Sequence, residues 1–389
     1  MSMNMSENDA VTYMRRAIQL AGNGAGHVNP NPMVGCVVVK DNNIISEAYH
    51  ERYGGFHAER LALMRCPADT RGASLFVTLE PCCHFGKTPP CTDIIIEKGI
   101  SEVFVGITDP NPLVAGNGIK ILQNAGITVH TGICEDEIKE LNKVFIKYIT
   151  TKRPYVVLKT AMTLDGKIAS YSGDSKWVSS DSSRQLVHKM RNDLSGIVAG
   201  VGTVLADNPS LSCRLAISDK KAHQPIRIIV DSNISTPLDC NIVSSAKEQR
   251  TIIATTDAFM SSESIARKAD ELRDKGVEIL QCASKGGRVD INDMVTKLGS
   301  LGIDSLLLEG GGTLNASFLE AGAVDEVCCF IAPKIIGGKT APSPVSGHGI
   351  EKMCNAIALL DVDIQRIEND ILIKGKIINQ HNNSCLQEL

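Results

Sequence analysis

Ser74-Leu75-Phe76-Val77-Thr78-Leu79-Glu80-Pro81-Cys82-Cys83-His84, followed by Cys91-Thr92-Asp93-Ile94-Ile95-Ile96, is the stretch whose reading decides the fold. Ser74 to Leu79 reads as a buried strand ending at Glu80, and Thr92 to Ile96 as the opening of a helix that Gly99 stops. Cysteines therefore sit past a strand end and at a helix start, where backbone N–H groups favour negative charge. Upstream, His57-Ala58-Glu59 follows the Gly54-Gly55 break and opens a helix with apolar positions Leu61, Leu63 and Met64. One imidazole and two thiolates fill three corners of a zinc tetrahedron and leave the fourth for water, as in a catalytic rather than a sealed site. Such a water supplies hydroxide at neutral pH, and Glu59, two residues past the histidine, is placed to carry protons.

Two thiol assignments remain open. The pair after the proline is Cys82 and Cys91, with eight residues between them, or Cys83 replaces one member; Pro81 directly before Cys82 favours Cys82. The pattern is that of zinc deaminases, H-x-E followed by P-C-x-x-C, with a longer second gap. A closed knot of His57, Cys82, Cys83 and Cys91 leaves Glu59 without a role and asks adjacent cysteines to reach one metal. Residues 84–90 become a loop able to touch substrate.

Working outward, Asn8-Asp9 read as the cap of a first helix carrying Val11, Met14, Ile18 and Ala21 on one face. Asn29-Pro30-Asn31-Pro32 is a turn cluster, and Gly35 to Val39 and Ile44 to Tyr49 form a hairpin about Asp41-Asn42-Asn43. Strands at 103–107 and 127–131, with a helix at 119–124, extend a βα alternation that predicts a largely parallel sheet. Asp109-Pro110-Asn111-Pro112 falls at a strand's carboxyl end, where open α/β sheets place ligands or simply turn. Glu135 to Ile149 reads as a last helix, and Thr150 to Pro154 as a boundary.

A second α/β pattern begins there. Tyr155 to Thr160 is a strand, Asp165-Gly166 signals a hairpin, and Lys167 to Ser170 returns. A polar segment with the chain's one tryptophan, Trp177, leads into a helix at 183–192. Strands at 197–199, 226–230, 252–254 and 306–308 alternate with helices at 262–274, 290–298 and 313–319. Gly200-Val201-Gly202-Thr203 and Glu309-Gly310-Gly311-Gly312 follow strands, as turns that admit a phosphate or as tight connections. Lys159, Arg191 and Arg214 add cations near them.

The chain has 389 residues, enough for two cores, and a net charge of -4, which leaves no electrostatic footprint for nucleic acid. Thirteen cysteines without a secretion pattern point to a reducing compartment, hence the cytoplasm, and no apolar run reaches membrane-span length.

Asn29 to Gly35, His57-Ala58-Glu59, Glu80 to His84 with Pro89-Pro90-Cys91, and Thr108 to Pro112 resemble the deaminase half of the bifunctional riboflavin biosynthesis family. Lys159 to Lys167, Gly200 to Arg214 and Glu309 to Gly312 resemble its reductase half. The resemblance implies two α/β domains: a cytidine-deaminase-like three-layer domain at 1–150 and a dihydrofolate-reductase-like domain at 151–389. It implies loss of an amino group from a ribosylated pyrimidine phosphate, then reduction of the ribose by NADPH.

By matching positions, zinc falls to His57, Cys82 and Cys91, and proton transfer to Glu59. Asn31, His50, Lys87, Asp109 and Asn111 are similar to the deaminase pocket. Ser175, Arg191, Leu211, Arg214 and Glu309 resemble reductase substrate contacts, and Lys159 the lysine beside the reacting ribose. Ala161, Trp177, Thr203, Asp207, Gly311, Gly312, Thr313, Leu314, Asn315, Ala316 and Ser317 resemble cofactor contacts, with Ser232 a looser match near a cofactor phosphate. The chain departs from the family at Asn208, where an aspartate is common. The expected partners are a phosphorylated pyrimidine and, in a homo-oligomer, further copies of this chain; neither nucleic acid nor membrane is expected.

Overall fold

The computed structural model describes residues 6–86, 88–111, 115–215, 222–257 and 263–377. They divide into two compact units, Met1–Lys152 and Arg153–Leu389.

The first unit runs α1 (Glu7–Ala21), β1 (Gly35–Lys40), β2 (Asn43–Tyr49), α2 (Ala58–Arg65), β3 (Ser74–Leu79), α3 (Cys91–Glu97), β4 (Glu102–Ile107), α4 (Asn117–Asn124), β5 (Thr128–Thr131), α5 (Glu135–Leu141) and α6 (Lys143–Thr151). Its sheet has the order β2-β1-β3-β4-β5. β1 is antiparallel to both β2 and β3, so only β3, β4 and β5 are parallel, and the largely parallel sheet expected becomes a mixed one. The hairpin turn at Asp41 and Asn42 has positive φ at both residues, which sends β1 straight back as β2. The first helix is capped by Ser6, whose hydroxyl accepts the Asp9 N–H at 3.2 Å; Asn8 and Asp9 lie inside it. β1 and β3 are buried on both faces, around Phe76, Leu75, Val77 and Val37.

The final helix expected at 135–149 is two helices, broken at Asn142. Its buried amide is needed elsewhere: Oδ1 accepts the Met33 N–H at 2.9 Å and Nδ2 donates to the Met33 carbonyl at 3.0 Å. That pair anchors the loop carrying Asn31.

The second unit runs β6 (Tyr155–Thr163), α7 (Asp181–Asp193), β7 (Gly196–Gly200), α8 (Val201–Asp207), β8 (Ile226–Val230), α9 (Asn241–Ser244), β9 (Thr251–Thr256), α10 (Glu263–Asp274) and β10 (Val277–Cys282). There follow a small ribbon, β11 (Ser284–Lys285) and β12 (Arg288–Val289), then α11 (Ile291–Ser300), β13 (Ser305–Leu308), α12 (Gly312–Glu320), β14 (Glu326–Ala332), β15 (Leu359–Ile367) and β16 (Asp370–Ile377). The nine-stranded sheet has the order β10-β9-β8-β7-β13-β6-β14-β16-β15, parallel as far as β14 and antiparallel through β16 and β15. The hairpin expected after β6 does not form among the described residues. Asp165 does make a turn, its carboxylate accepting the Thr163 hydroxyl at 2.6 Å and the Gly337 N–H at 2.7 Å. But β14 holds one edge of β6 as far as Thr163, and past the turn the chain leaves the sheet, the Ile168 N–H donating to the Pro342 carbonyl at 3.0 Å.

Candidate active sites

In the first unit, β3 ends at Leu79 and the chain passes through Glu80 and Pro81 to Cys82, while α3 begins at Cys91 and α2 is capped by His57. Three separate elements thus converge. The Cys82 and Cys91 sulfurs lie 3.4 and 3.5 Å from His57 Nδ1, and the three donor atoms lie within 4.8 Å of one another. Cys83 is not in this group, which decides between the two thiol assignments for Cys82. The Cys91 N–H also donates to the Cys82 sulfur at 3.3 Å. The hydrogen bond from the Cys91 thiol, with further help from His57, holds the Cys82 thiol down at about 4, whereas that thiol–thiol bond and burial push Cys91 up.

Glu59 is 3% exposed, and burial raises its carboxyl above the ordinary range. Its Oε2 has no hydrogen-bond partner among the described residues. A buried carboxyl oxygen left open beside three soft donors fits a metal carrying a water better than a closed structural knot.

Around this cluster, His50 stands edge-on to His57 with ring centroids 5.5 Å apart. Its Nε2 is 3.3 Å from Asn31 Nδ2 and its Nδ1 3.0 Å from the Phe56 carbonyl. Burial lowers the imidazole, which favours its neutral form. Asp109 lies past the end of β4, its carboxylate accepting the Asn111 N–H at 2.8 Å; burial, then Glu80, raises it. Lys87 lies outside the described residues.

In the second unit a cavity of about 990 Å³ opens beyond the carboxyl ends of β6, β7, β8 and β13. Lys159, Ala161, Ser175, Trp177, Arg191, Thr203, Asp207, Arg214, Ser232, Glu309, Gly311, Gly312, Thr313, Leu314, Asn315 and Ser317 all line it. Leu211 and Ala316 are buried and do not. At its centre Arg191 donates to Glu309 through Nε at 2.7 Å and Nη2 at 3.0 Å, and Lys159 Nζ stands 3.7 Å from Glu309 Oε2. Burial would raise the Glu309 carboxyl, but Arg191 and Lys159 outweigh it and hold it at about 2.

On the far wall, the start of α12 has no side-chain cap, and space before Gly311 is open but for the Thr203 hydroxyl at 3.9 Å. Asn315, 1% exposed, donates to the Pro344 carbonyl at 2.8 Å while its Oδ1 has no partner among the described residues. An uncapped helix start with a bare glycine before it suits an anionic group such as a cofactor phosphate.

Three lining residues were not foreseen. His188, one helical turn before Arg191, accepts the Arg214 N–H on Nδ1 at 3.3 Å; burial, then Arg191 and Arg214, lowers it. Arg184 lies over the Trp177 ring at 4.4 Å. Arg288 enters from the β11–β12 ribbon, and Val289 beside it donates its N–H to the Ser232 hydroxyl at 3.1 Å. The spacing of Arg184, His188 and Arg191 along one face of α7 offered a signal in the sequence; Arg288 is brought in by chain folding.

Comparison with known proteins places these units. The cytidine and deoxycytidylate deaminase zinc-binding region matches residues 7–107, and the RibD C-terminal domain matches residues 154–373. The riboflavin biosynthesis protein RibD of Actinobacillus pleuropneumoniae is 51% identical over 94% of this chain and 95% of its own. That of Bacillus amyloliquefaciens is 42% identical over 92% and 94%. Among solved structures, RibD of Acinetobacter baumannii superposes with a TM-score of 0.85 at 34% identity, covering 96% of this chain and all of that one. The diaminohydroxyphosphoribosylaminopyrimidine deaminase/5-amino-6-(5-phosphoribosylamino)uracil reductase of Thermotoga maritima gives 0.81 at 40%, covering 96% and 99%. The zinc-type cluster and the cleft at Glu309 thus lie in the two halves of one lineage, and the chain belongs to the RibD family of riboflavin biosynthesis proteins, bifunctional enzymes that join a deaminase to a reductase.

Proposed function

We propose that residues 1–150 deaminate 2,5-diamino-6-(5-phosphoribosylamino)pyrimidin-4(3H)-one. Residues 151–389 then reduce the ribosyl group of the resulting 5-amino-6-(5-phosphoribosylamino)uracil to ribityl with NADPH. The observation that carries the first step is the unpartnered Glu59 Oε2 buried beside His57, Cys82 and Cys91. These three residues would hold zinc, whose chemistry there would be to make a water acidic enough to attack at neutral pH. Glu59 holds the proton at Oε2 and passes it toward the departing ammonia; its raised carboxyl suits a group that must both accept and donate. Asn31, His50, Lys87, Asp109 and Asn111 orient the pyrimidine and its phosphate.

In the reductase, NADPH supplies the hydride. Gly311, Gly312, Thr313, Leu314, Asn315 and Ser317 seat the cofactor at the start of α12, with Ala161, Trp177, Thr203 and Asp207 around it and Ser232 toward its phosphate. Glu309 fixes Lys159 and Arg191 as charged donors; Lys159 lies at the reacting ribose, and Ser175, Arg191 and Arg214 hold the substrate, with the buried Leu211 and Ala316 packed outside the cavity. The enzyme acts in the cytoplasm as a homo-oligomer; exposed Leu360, Val362 and Ile364 on β15 offer a surface for a second copy.

Glu59→Gln tests this reading. Given the diaminopyrimidine and NADPH, the variant should keep its zinc but release ammonia at least about 10²-fold more slowly. Given the deaminated intermediate, it should oxidise NADPH at the wild-type rate. Ammonia release at the wild-type rate in the variant would end the proposal.

A further inference from the structure

The deaminase half contains a second buried carboxylate that zinc chemistry does not use. Glu80, 3% exposed, lies between the last residue of β3 and the Pro81-Cys82 step. Its two oxygens accept four backbone N–H groups from one loop. Oε2 takes those of Asp109 at 3.1 Å and Gly116 at 2.9 Å, and Oε1 those of Gly118 at 2.9 Å and Ile119 at 3.2 Å.

Three of the four belong to the start of α4, whose N-cap, Gly116, has no side chain to offer. The orphan donors of a helix start are met by its own cap residue or by water in most helices. Here a carboxylate from a neighbouring strand meets them, through charge-assisted bonds at a helix terminus that favours negative charge. The approach is close enough to require glycine: a Cβ at Gly118 would stand 2.1 Å from the Pro81 carbonyl oxygen.

We propose that Glu80 is a positioning residue for deamination: it fixes the loop carrying Asp109 and Asn111 to the strand end that carries Cys82. Because Glu80 and Cys82 are separated only by Pro81, one short rigid segment sets both the metal ligand and the loop. The reading rests on Asp109 and Asn111 contacting the pyrimidine, as proposed above. Glu80 touches neither substrate nor metal and acts through the register of that loop.

Glu80→Gln keeps the volume but turns an NH2 group toward N–H donors, so at least one pair of bonds is lost. The variant should retain its zinc and its NADPH oxidation on the deaminated intermediate, while kcat/KM for ammonia release falls by about 10²-fold, with KM rising as well as kcat falling. A zinc-loaded variant with wild-type kcat/KM would overturn the proposal. Should the variant lose zinc or fold poorly, amide hydrogen exchange in the wild type decides. The Gly116, Gly118 and Ile119 amides, at a helix start where fast exchange is the rule, should exchange slowly; fast exchange there refutes the proposal. Wild-type enzyme that releases no ammonia would instead sink the deaminase reading, and the exchange result would still decide the role of Glu80.

Discussion

Glu309 shows how single side chains set the chemistry of the second half. With its side chain 11% exposed and its carboxyl held at about 2, it is an anion between two cations. A carboxylate depressed in the folded state adds stability that is present above its ordinary value of 4.5 and is lost as pH falls through about 2. Glu309→Gln should therefore destabilise the enzyme at pH 7 by about 3 kcal/mol, because Arg191 is left buried without its partner. In denaturant titrations the gap between variant and wild type should narrow as pH drops below 4.5. A gap independent of pH would mean the ion pair is not its source. Asn208, where the resemblance implied an aspartate, has a structural task. It ends α8 with φ 41°, and its Oδ1 accepts the Asn241 N–H at 2.8 Å while its carbonyl accepts Asn241 Nδ2 at 2.6 Å. An amide or a carboxylate oxygen serves the first bond equally, so the substitution leaves the loop in place.

Among the elements, the strand-to-helix steps were legible because their residues are unambiguous: short apolar runs ended by Glu80-Pro81 or by glycine turns. The break at Asn142 was not, since nothing local marks it; the reason for it lies 109 residues away, at Met33. Asn142→Ala removes both bonds and leaves a buried N–H unpaired, at a cost of about 1–3 kcal/mol. Its deaminase substrate KM should rise as Asn31 loosens, while reductase kinetics stay unchanged; an unaltered KM would show that the loop holds without Asn142. The missing return after Asp165-Gly166 has the same origin: the turn chemistry is right, and the chain past it is drawn off to Pro342, far along the sequence. β14, β15 and β16 were not read as strands: Val327 to Ala332 is a continuous apolar run without alternation, and β15 is exposed along most of its length, so no core pattern reports it.

At the scale of the molecule, the residues assigned to deamination lie between positions 31 and 111 and those assigned to reduction between 159 and 317, with none shared. Glu59→Gln and Lys159→Met chains, each unable to complete the sequence, should together convert the diaminopyrimidine with one NADPH consumed per ammonia released, after a lag while the intermediate diffuses. No NADPH oxidation in the mixture would show that the intermediate must stay with one chain. The sequence by itself determined the kind of donor set, one imidazole with two thiolates and an acid beside it, and the order of the two halves, because ligand chemistry and apolar periodicity are properties of residue types at short range. Only the tertiary structure decided that Cys82 rather than Cys83 faces His57, that Glu80 holds the loop of Asp109, and that His188 and Arg288 reach the reductase cavity. Those outcomes depend on which strands become neighbours, and that is settled by packing between segments far apart in the chain.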